Sequence, residues 1–337
     1  LPGWDDCQLV FCRLRCHRVG LSGLVPHGAA PSLSRMAQTR EIRAQISNIS
    51  KTRKITRAME RMAFARLAQA RKRAESIRPY GRILRKMMAR FVHVDGDYQP
   101  ALMARRDPVK RVGLIVVTTD RGMCGPLNTR LLQEVVQQLE RWQQAGQECS
   151  LTIVGLRGLA TLKRCGSRVV AHVPAGSEFQ PSEELLGTMS VPIMQFLRGE
   201  IDELYVATNR FVNVLNYQPL LSRFLPLGHA LAGVPEHLQL PLHHHPGHHP
   251  VDYIYEPGEQ EAVDALLLRY VETIIYQAVA ENAACEQAAR MTAMKSASEN
   301  ADQRVEELTL EYHKARQEAI TRELIEIVAG AAAIDER

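Results

Sequence analysis

Two short glycine-bearing stretches are where chemistry is first looked for in this sequence. Gly122-Met123-Cys124-Gly125 and Gly155-Leu156-Arg157-Gly158 each follow a β-branched apolar run and precede a helical pattern. Backbone amides at such a helix start can hold a phosphate. Neither stretch is Gly-x-Gly-x-x-Gly, neither carries the Gly-Lys-Ser/Thr of a phosphate loop, and Pro126 removes one donor from the first. They read as tight turns between strand and helix. Metal chemistry has two candidates. Cys7, Cys12, Cys16 and His17 lack paired-ligand spacing. His237, His243, His244, His245, His248 and His249 sit among prolines around Gly247, as in a solvated loop able to take zinc or nickel adventitiously. There is no His-Glu-x-x-His, no Gly-x-Ser-x-Gly and no clustered loop carboxylates for general acid and base work. The sequence thus points to no catalytic residue, cofactor site or metal site.

What has to be positioned is instead a pair of long helices. Apolar residues recur at Val263, Leu267, Tyr270, Ile274, Ala278, Cys285, Ala289, Leu308, Tyr312, Ala315 and Ala319 in steps built from three and four, with no proline after Pro257. From Glu259 to Val328 a continuous helix would be on the order of 100 Å long, more than a globular body can bury. A similar seam runs through Ile42, Ile46, Ile49, Thr56, Met59, Ala63, Ala70 and Ile77. Charge complements pattern. Residues Met36–Arg90 hold sixteen Lys and Arg against Glu41, Glu60 and Glu75, a net of +13, while Glu259–Val328 holds seven basic and fourteen acidic residues, a net of −7. The termini are therefore expected to form an antiparallel coiled coil.

Between them strand and helix signals alternate. Val112–Thr118, Leu151–Val154, Glu203–Thr208 and Phe211–Leu215 read as strands, and Leu131–Trp142 as a helix. The fold class expected is an α/β body with a largely parallel sheet, carrying a long antiparallel coiled coil of the N- and C-terminal helices. The domain boundaries expected are 1–35 for an extension without helical period, 36–92 for the N-terminal helix, 109–236 for the body, 237–251 for the His- and Pro-rich loop, and 252–334 for the C-terminal helix.

Composition is that of an ordinary water-soluble chain: 337 residues, 45% apolar and only 5% aromatic. The longest uncharged apolar run, Ile327–Ile334, is far short of a membrane span. The odd count of seven cysteines, at scattered positions, suits free thiols at Cys124, Cys149, Cys165 and Cys285 in a reducing compartment. Arg13, Arg15, Arg18 and Arg35 suit a transit peptide but Asp5 and Asp6 oppose it, and Met36, just before the helical pattern, is a natural start. Lys51, Arg53, Lys54, Arg57 and Arg61 could follow a nucleic-acid backbone, yet no aromatics interleave with them and no nucleic-acid motif is present.

Several stretches, taken in order, resemble one family. Glu41-Ile42-Arg43, Lys54-Ile55-Thr56-Arg57-Ala58-Met59-Glu60, Arg78-Pro79-Tyr80 and Thr119-Asp120-Arg121-Gly122-Met123-Cys124-Gly125 look like the gamma subunit of F-type ATP synthases. Arg269-Tyr270-Val271-Glu272, Ser296-Ala297-Ser298-Glu299-Asn300, Ala315-Arg316-Gln317 and Ile320-Thr321-Arg322-Glu323 continue the likeness. The resemblance implies a non-catalytic central-stalk rotor without cofactor, coupling proton flow to ATP synthesis or hydrolysis. Its implied partners are three alpha and three beta subunits, the epsilon subunit and the membrane c-ring, with no nucleic acid, at the cytoplasmic face of a bacterial inner membrane. It implies that Met59 faces the lever segments of beta, that Arg316, Gln317, Thr321 and Glu323 are its neighbours on the opposite helix, and that Gln287 and Arg290 engage a loop of a catalytic subunit. Pro126, where the family more often has glycine, the His-rich loop and the first 35 residues depart from the pattern. A nucleotide-binding α/β protein and a basic coiled-coil nucleic-acid binder are the rival readings.

Overall fold

A computed structural model describes residues 31–91, 100–176, 183–227, 256 and 258–335. The N-terminal extension before Pro31 and the His- and Pro-rich loop lie outside them. The elements are α1 (Pro31–Phe91), a 3₁₀ turn (Ala101–Met103), β1 (Arg111–Val117), α2 (Leu127–Gln144), β2 (Glu148–Val154), α3 (Leu156–Leu162), β3 (Val169–Val173), α4 (Glu183–Leu197), β4 (Glu203–Phe211), β5 (Tyr217–Leu225) and α5 (Glu259–Asp335). They divide into two compact units, one formed by Ala63–Arg290 and one by 31–62 with 291–335.

The first unit contains the α/β body, a five-stranded sheet in the order β3-β2-β1-β4-β5. β1 pairs in parallel with both β2 and β4, β2 pairs in parallel with β3, and β5 closes the edge antiparallel to β4. The expected strand over Phe211–Leu215 is not there. β4 runs on through Phe211, Asn213 turns the chain by accepting the amides of Leu215 and Asn216, and the next strand starts at Tyr217. An asparagine side chain that satisfies amides two and three residues on makes a turn that competes with strand pairing.

Every residue of β1 after Arg111 is buried, as a central parallel strand covered on both faces requires. Ile115 and Val117 join Leu185, Met189, Ile193 and Phe196 of α4 and Leu267, Tyr270, Val271 and Ile275 of α5 in one core. Val112, Leu114 and Val116 point the other way, against Leu131, Val135, Leu139 and Trp142 of α2. Alternation along one strand thus sorts residues between two cores. Burying each such side chain fully is worth about 1.5–3 kcal/mol, so α5 between Val263 and Ile275 is as much core as any strand. Along α1 the buried positions Ala63, Leu67, Ala70, Ala74 and Leu84 alternate steps of four and three before a longer interval occupied by Ile77 and Gly81. A Cβ on Gly81 would come within 3.6 Å of the Gln277 side chain and 3.7 Å of Thr273, so small residues set how closely these helices approach.

The second unit is a helix pair. Ile42, Ile46, Ile49, Arg53, Thr56 and Glu60 of α1 turn away from solvent in alternating steps of four and three, as do Met294, Ser298, Ala301, Val305, Leu308, Tyr312, Ala315 and Ala319 of α5. Thr56 meets Ser298 and Arg53 meets Asp302, which fixes an antiparallel register.

Backbone strain singles out Gly155, at φ 95°, where an added Cβ would fall 2.6 Å from the Thr118 carbonyl oxygen. Gly155→Ala is expected to lower unfolding free energy by about 2–3 kcal/mol. Gly166→Ala, at φ 71° but with open space around the added methyl, should cost about 1 kcal/mol. Urea unfolding followed by tryptophan fluorescence, which reports Trp142 of this body, checks both.

Candidate functional site

The functional residues to be placed lie in two regions, one within each unit. In the body, they gather where the loop after β1 meets α5. Asp120 anchors that loop: its carboxylate accepts the amides of Leu156 at 3.1 Å, Ala175 at 2.9 Å and Gly176 at 3.0 Å. Those amides belong to the start of α3 and the exit of β3. The α3 start, where backbone amides could hold a phosphate, is therefore taken by a carboxylate of the chain itself. Gly122 lies against Arg157, whose guanidinium would be 2.6 Å from an added Cβ, and Met123 follows with φ 61° and a side chain 57% exposed. Thr119 donates to the Arg121 carbonyl and accepts from Asn128, both at 2.7 Å. Both glycine stretches are closed turns between strand and helix.

From α5 a buried ion pair reaches the same loop. The Arg290 guanidinium donates to Glu286 at 2.6 Å, to Gln287 at 3.5 Å and to the Gly122 carbonyl at 3.3 Å. Burial pushes the Glu286 carboxyl up, opposed by Arg290. Gln287 and Arg290 are only 4% and 7% exposed, so sequence-nominated contact residues are already held inside the chain.

The reversal of strand order falls between β1 and β4, and in open α/β sheets ligands bind outside the carboxyl ends of the strands at such a point. Here α5 occupies that place. Asn282 accepts from Asn209 at 2.9 Å and donates to the Thr118 carbonyl at 3.3 Å, while Cys285 donates to the Asn209 carbonyl at 3.4 Å. Cys124, Leu127, Cys285 and Ala289 pack together beside Phe211 and Tyr217. Burial pushes the thiols of both Cys124 and Cys285 up, which leaves little thiolate for nucleophilic or redox chemistry. Cys124, Cys149, Cys165 and Cys285 are free.

In the helix pair, Met59 is partly buried, whereas Arg316, Gln317, Thr321 and Glu323 are all exposed. They are not its neighbours. Carrying the Thr56–Ser298 register along the pair puts Met59 opposite Lys295, while Arg316 lies 21 residues further along α5, roughly 30 Å away. The misplacement has a simple cause, since motif order along a chain carries no register. Beyond Ala319 the inward positions stop: residues 320–329 are exposed throughout, including Ile320, Leu324, Ile325, Ile327 and Val328. Glu286, Asn282 and Asp302 are further polar residues that packing brings into these contacts. Glu286 and Arg290, an acid four residues before a base, carried a readable helix-pair signal. Asn282 and Asp302 carried none, because nothing local marks which polar residues of a helix are buried.

Arg290→Met leaves Glu286 buried without its cation and should cost about 3 kcal/mol or more of stability. Adding Glu286→Gln should recover most of the loss. Chemical denaturation of the two single variants and the double variant measures the coupling.

A family model described as ATP synthase matches residues 38–334. The chain is 45% identical over 300 residues to the ATP synthase gamma chain of Ralstonia nicotianae, spanning 89% of this chain and 100% of that one. It is 42% identical over 299 residues to that of Thiobacillus denitrificans, with the same shares covered. Its fold matches a chain of the Euglena gracilis mitochondrial ATP synthase rotor in rotational state 1, with a TM-score of 0.55 at 16% identity over 84% of this chain and 99% of that one. A chain of the OSCP/F1/c-ring assembly from the same organism in rotational state 3 gives 0.60 at 17%, over 88% and 95%. With motifs at both ends, a sheet whose ligand crevice is filled by its own helix, and full-length relatives above 40% identity, this chain belongs to the family of ATP synthase gamma chains.

Proposed function

We propose that this chain is the rotor of an ATP synthase, turning inside a hexamer of three alpha and three beta subunits and coupling proton flow through the membrane c-ring to ATP synthesis or hydrolysis. As a gamma chain it is a non-catalytic subunit of the central stalk. The observation that carries the rotary reading is the end of α5, where Ile320, Leu324, Ile325, Ile327 and Val328 stand 45–66% exposed on a helix that no longer buries a face. An apolar surface of this extent is a place for a partner. From Ile327 to Ile334 the sequence carries no charge, which suits a tip turning in an apolar sleeve, because a charged one would have to be desolvated.

Met59 is assigned to the lever segments of beta, and Arg316, Gln317, Thr321 and Glu323 to a separate contact level further along α5. Gln287 and Arg290 engage a loop of a catalytic subunit through the Gly122–Met123 turn that Arg290 holds. Rotation couples sites because each angular position presents different contacts to each catalytic subunit, and a contact shifts a conformational equilibrium only by its difference between states. The epsilon subunit and the c-ring are the partners assigned to the body. Membrane attachment is assigned to these partners, at the cytoplasmic face of a bacterial inner membrane; no helix among the described residues is long and apolar enough to cross a membrane.

Residues Met36–Arg337 co-expressed with cognate alpha and beta subunits should elute as one copy with three of each, in a peak whose ATPase depends on it. Elution alone with the ATPase unchanged overturns the rotor reading, and nucleotide binding by the isolated chain is then the measurement that separates out the rival α/β reading. Met59→Lys should leave that assembly intact yet reduce ATP-driven proton pumping severalfold, and unimpaired pumping in inverted vesicles would remove Met59 from the coupling contacts.

A further inference from the structure

A cavity of about 280 Å³ lies within the body unit between α1, the end of β4 and α5. Two of the residues that line it, Ala74 and Ala284, are buried at 4% and 1% exposure, and their methyl groups are too small to fill the space. Most of the remaining wall is charged. Arg71 and Arg78 stand two turns, roughly 10 Å, apart on α1. Arg210 comes from β4, and Glu75 and Glu281 complete the set.

Part of this wall is closed upon itself. Arg71 Nε donates to Glu75 at 2.8 Å, and Glu281, only 5% exposed, accepts from Gln277 at 3.0 Å. The other two cations are not closed. Arg78 Nη2 stands 3.6 Å from Glu281 Oε1, too far for a hydrogen bond, and its Nε is buried with no partner among the described residues. The Arg210 guanidinium has neither an ion pair nor a hydrogen bond among the described residues. Three guanidinium groups against two carboxylates leave one positive charge over, and Arg210 carries it.

A guanidinium is a planar fork of N–H donors that matches the oxygens of an oxyanion. Forks supplied by two separate elements, α1 and β4, suit an anion with oxygens on several sides, as a tetrahedral one has. Volume sets the size. A space of about 280 Å³ falls just below the range of pockets for drug-sized ligands, so it has room for a hydrated phosphate ion but not for a nucleotide.

We propose that this cavity binds a small tetrahedral oxyanion of the inorganic phosphate class, held by Arg210 and Arg78 with the more exposed Arg71 at its mouth. Bound there, the anion ties α1 to the end of β4 through charge-assisted hydrogen bonds. Every residue involved belongs to the body unit, and the site stands independently of the rotor reading.

The full chain, titrated with inorganic phosphate by isothermal calorimetry at constant ionic strength, should take up one equivalent. Arg210→Gln should weaken that binding about tenfold or more, as loss of a charge-assisted contact implies. Arg198→Gln, which removes an exposed cation elsewhere on the body, should leave it unchanged. Phenylglyoxal modification of the unaltered chain, read by mass spectrometry, decides the matter even if the Arg210 variant does not fold. Phosphate should slow modification of Arg210 about fivefold once the site is mostly occupied, and leave Arg198 as reactive as before. Equal phosphate affinity in a folded Arg210→Gln chain, or an Arg210 modified equally fast with and without phosphate, overturns the site. Protection of Arg210 by ADP but not by phosphate overturns it as well, and assigns the cavity to a nucleotide.

Discussion

The structure of the body depends on one constraint, that α5 is built into the sheet it follows. Leu267, Tyr270, Val271 and Ile275 share a core with β1 and α4, and a few turns later Asn282 and Cys285 bond to backbone carbonyls at the carboxyl ends of β1 and β4. Those carbonyls and Asn209 would otherwise face the crevice in which α/β sheets of this type hold ligands. Filling it with a helix exchanges a binding site for a mechanical joint. The crevice of an open doubly wound sheet is thus taken up by the chain itself.

The joint is fastened by polar contacts as well as by apolar burial. Asp120 ties the loop after β1 to α3 and to the exit of β3, and Arg290 ties the same loop to α5. Each is low in exposure or fully engaged, so neither can swing without leaving buried partners unsatisfied. Glu286, raised by burial and neutralised by Arg290, would be expensive in any arrangement that separated them. These contacts leave the turn at Met123 little freedom, and among the described residues Met123 is the one non-glycine residue in the left-handed region. Strain of this kind persists only where the surroundings over-determine it.

The helix pair is less deeply buried: its apolar seam is narrow and many of its side chains are only partly buried. A slide of one heptad would be roughly 10 Å along the pair and would move every inward side chain past its partner.

Much of this was legible in the residues alone. The long terminal helices, their antiparallel pairing and the strand–helix alternation follow from periods of 3.5 and 2, and period is a local property of the chain. The family likeness rested on motif order, which is local too, and the match over 38–334 supports it. What stayed hidden depends on distance in space. The strand over Tyr217–Leu225 carries Pro219 and buries only Phe224 and Leu225 at its end, so its pairing with β4 has no clear local signal. The burial of Gln287 and Arg290, the capture of the α3 start by Asp120 and the separation of Met59 from Arg316 are matters of register and packing. A sequence states which residues a helix can turn inward; only the packed partner decides which carboxylate meets which guanidinium, because that choice is made between residues some 250 positions apart.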